Sequence, residues 1–181
     1  MPKVIPQSFF ERSAPAIAKA LLGKKLVRRF RGKNFPLIIT ETEAYDGPRD
    51  RASHASRGMT PRTKIMFGEA GRFYVYFTYG MHWLVNVVTG PKEYPAAVLL
   101  RAGVYRDPKT GKPVPIAGPA RLTKFLHIDG ALNGKPANRK TGLWFEESDA
   151  VPRPKIVARK RIGVDYAGPF WSKRKWNFKI R

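Results

Sequence analysis

RFYVYFTYGMHWLVNVV, residues 72–88, is the stretch that decides the fold class of this 181-residue chain. Two runs rich in aromatic and β-branched residues flank the pair Tyr79-Gly80, which is a turn signal. The segment therefore predicts two antiparallel strands joined by a tight turn. Alternation along the first strand predicts a core-facing set, Phe73, Val75 and Phe77, and an opposite face that carries the hydroxyls of Tyr74 and Tyr76.

The segments on either side of this hairpin predict more strands than helices. Strands are predicted at residues 24–30, 35–45, 95–104, 142–146, 155–164 and 176–180, and helices at 13–23 and 118–128. The connections are too short for several strand–helix–strand crossovers, so most neighbouring strands should pair antiparallel. The sequence thus predicts one domain, residues 1–181, of the α+β class, with a mostly antiparallel sheet and a few short helices.

The charge of the chain indicates a polyanionic partner. Lys and Arg number 35 against 13 Asp and Glu, which gives a formal net charge of +22. A charge this large opposes compaction through self-repulsion, so it favours a nucleic-acid partner, with an anionic membrane surface as the second alternative. The sequence has no run of 18 apolar residues and no long basic amphipathic helix, which disfavours the membrane.

The residues that usually build metal sites and disulfides are scarce. Cysteine is absent, and the three histidines do not occur at metal-ligand spacing, so the sequence predicts no disulfide and no metal centre. The N-terminal segment contains an acidic residue and two early prolines where a signal peptide needs an apolar core. A cytoplasmic, nucleoid-associated protein is therefore expected.

The segment ETEAYD, residues 41–46, concentrates acidic residues in a basic chain. If residues 35–45 form a strand, a period of two predicts one shared face for Leu37, Ile39, Glu41, Glu43 and Tyr45. Such a strand runs from the core into a cleft, where desolvation tunes a carboxylate towards acid–base chemistry. Composition alone favours the competing interpretation, in which Glu41 and Glu43 form ion pairs with the plentiful arginines. A metal site and base-edge recognition are further alternatives.

Residues 46–64 are polar, rich in Gly, Pro and Arg, and too long for an ordinary connection. They predict either a solvated charged loop or, more specifically, a loop that contacts phosphates. At the hairpin, an exposed Tyr79 on so basic a protein indicates insertion between base steps. A wedge aromatic, pocket tyrosines and a carboxylate together predict an enzyme that acts on a flipped base, with hydrolysis of an N-glycosidic bond as the fitting reaction.

These motifs resemble those of the monofunctional alkyladenine (3-methyladenine) DNA glycosylases. The resemblance rests on ALLGKKLVRR, IITETEAYDGPRDRASHASRGMTPRTKIMF, GRFYVYFTYGMHWLVNVV, AAVLLRAG, GPARLTKFLHI and RIGVDYAG, which follow in the family's order and span nearly the whole chain. It implies a single α+β domain with a curved antiparallel sheet and a protruding aromatic hairpin. It also implies a monomer that acts on double-stranded DNA containing damaged purines, without metal or cofactor.

The resemblance implies a role for each matching residue. Glu43 matches the general base that activates water, and Arg101 matches an arginine that helps hold that water. The substrate-binding matches are Tyr45 and Tyr76, which stack on the flipped base, His54, which forms a third wall, and Asn86, which clashes with the 2-amino group of guanine. Tyr79 matches the intercalating residue. Contacts to the DNA backbone are expected from Arg57, Arg62, Lys64 and His82.

Two positions depart from the family's pattern. His82 stands where an aromatic residue is common, and Thr63 stands where asparagine is frequent. Neither position is the expected base. The substrates implied are 3-methyladenine, 7-methylguanine, hypoxanthine and ethenoadenine.

Two other functions compete with this one. A non-catalytic RNA-binding or ribosome-binding module explains the charge and the exposed aromatics, but it gives no reason for the pair Glu43 and Asn86. A glycosylase with lyase activity needs a desolvated lysine, and Lys124 is the candidate.

Overall fold

The aromatic segment forms the predicted hairpin. In the computed structural model, which describes residues 2–148 and 154–181, strand β3 (Phe73–Thr78) pairs antiparallel with β4 (His82–Val88). Tyr79, Gly80 and Met81 connect the strands; Tyr79 and Gly80 have positive φ angles of 52° and 64°, and the Met81 amide donates to the Thr78 carbonyl at 3.2 Å, as in a tight hairpin turn. The hairpin and its antiparallel pairing are therefore confirmed.

The described residues contain one sheet of nine strands with antiparallel pairing throughout. Its other strands are β1 (Lys25–Phe30), β2 (Lys33–Asp46), β5 (Ala96–Arg106), β6 (Pro113–Ala117), β7 (Leu143–Glu146), β8 (Ile156–Arg159) and β9 (Asn177–Ile180). The main path runs β3-β4-β5-β2-β1-β7, with β6 beside β5 and with β9 between β2 and β8. The curved sheet and the α+β class are as predicted.

Three short helices and several 3-10 turns complete the described structure. The helices are α1 (Ala14–Ala20), α2 (Pro119–Phe125) and α3 (Gly168–Ser172), and the 3-10 turns span Gln7–Glu11, His54–Arg57, Lys64–Phe67, Gly130–Leu132 and Asp165–Ala167. Strand β6 and helix α3 were not predicted, because prolines in both segments weaken the local signal. The predicted strand at 155–164 ends at Arg159.

The main core lies on one face of the sheet. Helices α1 and α2 contribute Ile17 and Leu122 to it, and the residues that cap their C-termini contribute Leu21 and Leu126. Phe73 and Val75 join this core as predicted. Phe77 does not: it is 45% exposed and packs on Trp83, because the end of the hairpin extends beyond the helices.

The long strand β2 changes its facing at a bulge. Leu37 and Ile39 belong to the core cluster, and so does Ala44, although Ile39 and Ala44 are an odd number of residues apart. Register shifts on both sides of Glu41 in the pairing of β2 with β5 account for this reversal. The predicted shared face was therefore wrong for Leu37 and Ile39. The residues after the bulge that face away from the core are Glu41, Glu43 and Tyr45.

Candidate active site

A cavity of about 330 Å³ lies on the face of the sheet opposite the main core. Its walls come from six parts of the chain: the end of β2, the loop between β2 and β3, the hairpin, β5, the start of α2, and the segment after β8. The lining includes Tyr45, Ser53, His54, Tyr74, Tyr76, Tyr79, Asn86, Leu99, Arg101, Ile162 and Tyr166. This volume is in the range of small-molecule sites.

Glu43 lies directly behind the cavity wall. Its side chain is fully buried, and two donors approach each oxygen: Tyr45 Oη at 3.0 Å and Arg101 Nη1 at 3.3 Å from Oε1, and the Ile162 amide and Asn177 Nδ2, both at 2.9 Å, from Oε2. Of these four residues, Tyr45, Arg101 and Ile162 line the cavity. Oε1 is therefore the oxygen whose partners both face the cavity.

Glu41 shares two donors with Glu43. Its Oε1 accepts from Arg101 Nε at 3.1 Å and from Asn177 Nδ2 at 2.9 Å, and Lys179 Nζ lies 3.8 Å from Oε2. The ion pairing that composition favoured is thus present. It explains how a basic chain holds two carboxylates side by side, and it leaves a catalytic role for one of them open.

Tyr45 is clamped between Glu43 and a buried arginine. The guanidinium of Arg161 lies 5.0 Å from the Tyr45 ring centroid and 5.1 Å from that of Trp176. Arg161 also forms a bidentate ion pair with Asp50, and neither side chain is exposed. Burial raises the pKa of Tyr45 well above its ordinary value, and the adjacent Glu43 acts in the same direction. Its hydroxyl therefore stays protonated as a donor to Glu43.

His54 and two tyrosines form the opposite wall. His54 Nδ1 lies 3.0 Å from the Tyr74 hydroxyl, and the imidazole meets the Tyr76 ring edge-on, with centroids 4.7 Å apart. Desolvation lowers the pKa of His54 to about 4, and Arg62 acts in the same direction. The histidine is therefore neutral near pH 7, and the wall is aromatic, with the Arg62 guanidinium 4.9 Å from the Tyr76 ring centroid.

The hairpin presents the remaining residues of the site. Tyr79 is 86% exposed at the tip. Asn86 is buried, and its Nδ2 donates to the Tyr74 carbonyl at 3.1 Å, which fixes the orientation of the amide. Tyr79 at the tip and the cavity residues Tyr74, Tyr76 and Asn86 therefore belong to the same hairpin.

Comparison with known proteins gives the family. A model of the methylpurine-DNA glycosylase family matches residues 8–181. The chain belongs to this family. It is therefore a DNA glycosylase, a hydrolase of the N-glycosidic bond that acts in DNA repair.

Curated relatives, among them proteins of the following three organisms, carry the name "Putative 3-methyladenine DNA glycosylase". The protein of Methanocella arvoryzae is 45% identical over 97% of this chain and 91% of its own length. That of Anaeromyxobacter dehalogenans is 45% identical over 98% of this chain and 83% of its own length. That of Natranaerobius thermophilus is 35% identical over 96% of this chain and 93% of its own length.

In this glycosylase a second cleft adjoins the cavity through Ser53, His54 and Tyr166. Its lining adds Arg51, Arg57 and Arg62, none of which has a carboxylate within ion-pair distance in the described part of the chain. The Thr63 hydroxyl stabilises the loop that lines this cleft, because it donates to the Gly58 carbonyl and accepts from the Thr60 amide. Of the predicted backbone contacts, Arg57 and Arg62 line the cleft, whereas the exposed Lys64 and His82 lie outside it.

Several residues of the site escaped sequence reasoning. Asn177, Arg161 and Ile162 contact Glu43 or Tyr45 from the C-terminal part of the chain, and Tyr166 separates the two clefts. Asn177 follows a tryptophan in an ordinary strand pattern, so nothing local distinguishes it. The motif RIGVDYAG, which carried part of the resemblance, was the one signal for the other three.

Three further observations concern the described part of the chain. Lys124 is exposed on α2, and none of the residues that line the cavity is a lysine. Residues 2–148 and 154–181 contain no group of three or more His, Cys, Asp or Glu that could hold a metal ion. Within the same ranges, no helix is long and apolar enough to cross a membrane.

Proposed function

We propose that this glycosylase removes alkylated and deaminated purines from double-stranded DNA, with Glu43 as general base. The class comprises 3-methyladenine, 7-methylguanine, hypoxanthine and ethenoadenine. One observation carries the proposal: a buried carboxylate stands behind the wall of a purine-sized cavity, and both partners of its Oε1 line that cavity. The enzyme acts as a single-domain monomer and uses no cofactor.

The reaction is a displacement at C1′ of the flipped nucleotide. Glu43 Oε1 accepts a proton from water, the water oxygen bonds to C1′, and the C1′–N bond breaks with its electron pair leaving on the base. The transition state has oxocarbenium character, so the carboxylate stabilises the sugar as well as deprotonating the water. The product is an intact strand with an abasic site.

Water reaches Glu43 by displacing one of its present donors. A carboxylate offers about four acceptor positions, and four donors occupy them here. Tyr45 is the donor that yields, because its hydroxyl approaches from the cavity and its ring is where the base stacks. Arg101, the other partner of Oε1, then helps to hold the water.

Selectivity comes from the aromatic walls and from Asn86. Tyr45 and Tyr76 stack on the flipped base, and electron-poor purines gain most from this contact. His54 closes the third side as a neutral ring. The Asn86 amide, fixed by its bond to Tyr74, excludes the 2-amino group of guanine by steric clash.

The hairpin and the basic cleft hold the DNA. Tyr79 enters the base stack at the vacated position, which its exposure and its place at the turn support. Arg57 and Arg62 bind phosphates beside the flipped nucleotide, and Lys64 and His82 add contacts to the backbone.

The test is base release from duplex DNA that carries a single lesion of each type. Glu43→Gln should lower the single-turnover excision rate by at least a hundredfold while lesion binding persists, because an amide cannot accept the proton of water. The matched control is Glu69→Gln, which removes an exposed carboxylate paired with Arg72. Excision by Glu43→Gln at the wild-type rate would reject Glu43 as the base.

A further inference from the structure

A single buried amide holds both glutamates of the site. Asn177 is the first residue of β9, lies opposite Glu43 in the strand register, and is 1% exposed. Its Nδ2 is 2.9 Å from Glu41 Oε1 and 2.9 Å from Glu43 Oε2. Both N–H bonds of one nitrogen are thus committed to carboxylates.

The chemistry of an amide suits this place. Two neighbouring carboxylates repel each other, and Asn177 offers each a donor without adding a charge. An aspartate would add a third negative group, and a lysine would compete with Arg101 for the same oxygens. The amide therefore leaves the charge of the cluster to the glutamates, Arg101 and Lys179.

The two oxygens of Glu43 also have different partners. Oε2 is tied to the backbone amide of Ile162 and to Asn177, and both of these donors lie in the C-terminal part of the chain. Oε1 meets Tyr45 and Arg101, which line the cavity. With Oε2 fixed, rotation of the carboxylate is blocked.

We propose that Asn177 is a positioning residue, which anchors Oε2 of Glu43 so that Oε1 is the oxygen that takes the proton from water. The inference rests on the proposed function of Glu43 and adds the choice of oxygen and the residue that makes it. Asn177 acts through Glu43, because it is absent from the cavity wall.

Loss of this anchor has a signature in the pH dependence of excision. The other titratable and charged groups around Glu43 are Glu41 (which shares two of its donors), Tyr45, Arg101 and, at longer range, Tyr76. An Asn177 variant keeps all four groups, and Glu41 loses only its bond to the amide. Without the amide, the ionised carboxylate loses a donor and is less favoured relative to its protonated form. The acid limb of the pH–rate profile should therefore move to higher pH, and the plateau rate should fall about tenfold or more.

The experiment measures single-turnover excision of hypoxanthine from duplex DNA between pH 4.5 and 8.5. Asn177→Ala should show the full shift of the acid limb. Asn177→Ser, which keeps one donor and a small volume if the alanine variant folds poorly, should show a smaller shift in the same direction. Thr123→Val is the control: this buried hydroxyl donates only to backbone carbonyls, so its loss should lower the melting temperature without moving the acid limb.

The outcomes separate this inference from the proposed function. If Glu43→Gln is inactive but the acid limb stays at the wild-type pH in both Asn177 variants, the positioning role is wrong and Glu43 remains the base. If Glu43→Gln is active, Glu43 is not the general base, and the positioning role of Asn177 is rejected together with it. If the acid limb lies at the highest pH in Asn177→Ala, at an intermediate pH in Asn177→Ser and at the lowest pH in the wild type, the result supports both the positioning role and the proposed function.

Discussion

At the scale of single residues, the site depends on side chains held in one protonation state. Burial raises the pKa of Tyr45 and keeps its hydroxyl protonated, whereas partial desolvation and the nearby Arg62 lower the pKa of His54, which keeps an exposed edge, to about 4. A neutral imidazole suits the electron-poor purines that we propose as substrates, because an imidazolium would repel a cationic base. His54 is therefore a fixed wall and not a switch near physiological pH.

His54 predicts a pH dependence of stability. Its pKa is about 4 in the folded protein against 6.5 in the unfolded chain, so between these values the unfolded chain binds the proton more tightly. The folding stability that depends on an unprotonated His54 is fully present above pH 6.5 and is lost as the pH falls towards 4. Melting temperatures of the wild type should consequently fall more steeply than those of His54→Gln over this range. If calorimetry shows that the melting temperatures of the wild type and of His54→Gln fall in parallel with pH, this role of His54 is wrong.

At the scale of elements, a buried ion pair joins two segments that are distant in sequence. Asp50 belongs to the long loop after β2, and Arg161 to the segment after β8. Arg161 also donates to the carbonyls of Ala44 and Trp171. The pair thus sets the position of Tyr45, of the loop that carries His54, and of the Ile162 amide.

Arg161→Met should destabilise the protein strongly. The methionine fills much of the volume but leaves Asp50 buried without its cation, which costs about 3–5 kcal/mol of unfolding free energy. Arg72→Met removes a half-exposed partner of Glu69 and should cost about 1 kcal/mol or less from the lost pair. Urea unfolding of both variants gives the comparison, and equal losses would refute the structural role of the buried pair.

At the scale of the whole molecule, the charge of +22 suits a long polyanion. Three of the acidic residues form ion pairs within the protein: Glu41 and Glu43 with Arg101, and Asp50 with Arg161. Most remaining cations are therefore free to attract DNA. Long-range attraction brings the duplex to the protein, and in the proposed function the hairpin and the cavity then select the nucleotide.

Binding to undamaged duplex DNA should weaken steeply with salt. The slope of log affinity against log salt should be about −0.9 for each phosphate neutralised. Arg57→Ala, in the cleft beside the cavity, should reduce the magnitude of this slope by about 0.9 if it binds one phosphate. Lys109→Ala, on the exposed connection between β5 and β6, should leave the slope unchanged, and fluorescence anisotropy at several salt concentrations measures both. Equal slopes for wild type and Arg57→Ala would remove Arg57 from the backbone contacts.

The sequence by itself determined the fold class, the aromatic hairpin and the kind of partner. Each of these rests on local or summed properties: alternation over residues 72–88, a turn glycine, and net charge. It also brought attention to Glu43 and Tyr45, because acids are rare in this chain. A missed strand such as β6 shows the limit of local pattern when prolines interrupt it.

Only the tertiary structure decided which groups surround Glu43. The bulge in β2 turned its carboxylate away from the core, although simple alternation placed it with Leu37 and Ile39. Asn177 and the Ile162 amide reach it from well over a hundred residues away along the chain. Local sequence cannot encode such contacts, because they arise when the last strand pairs with β2 and closes the network around one buried charge.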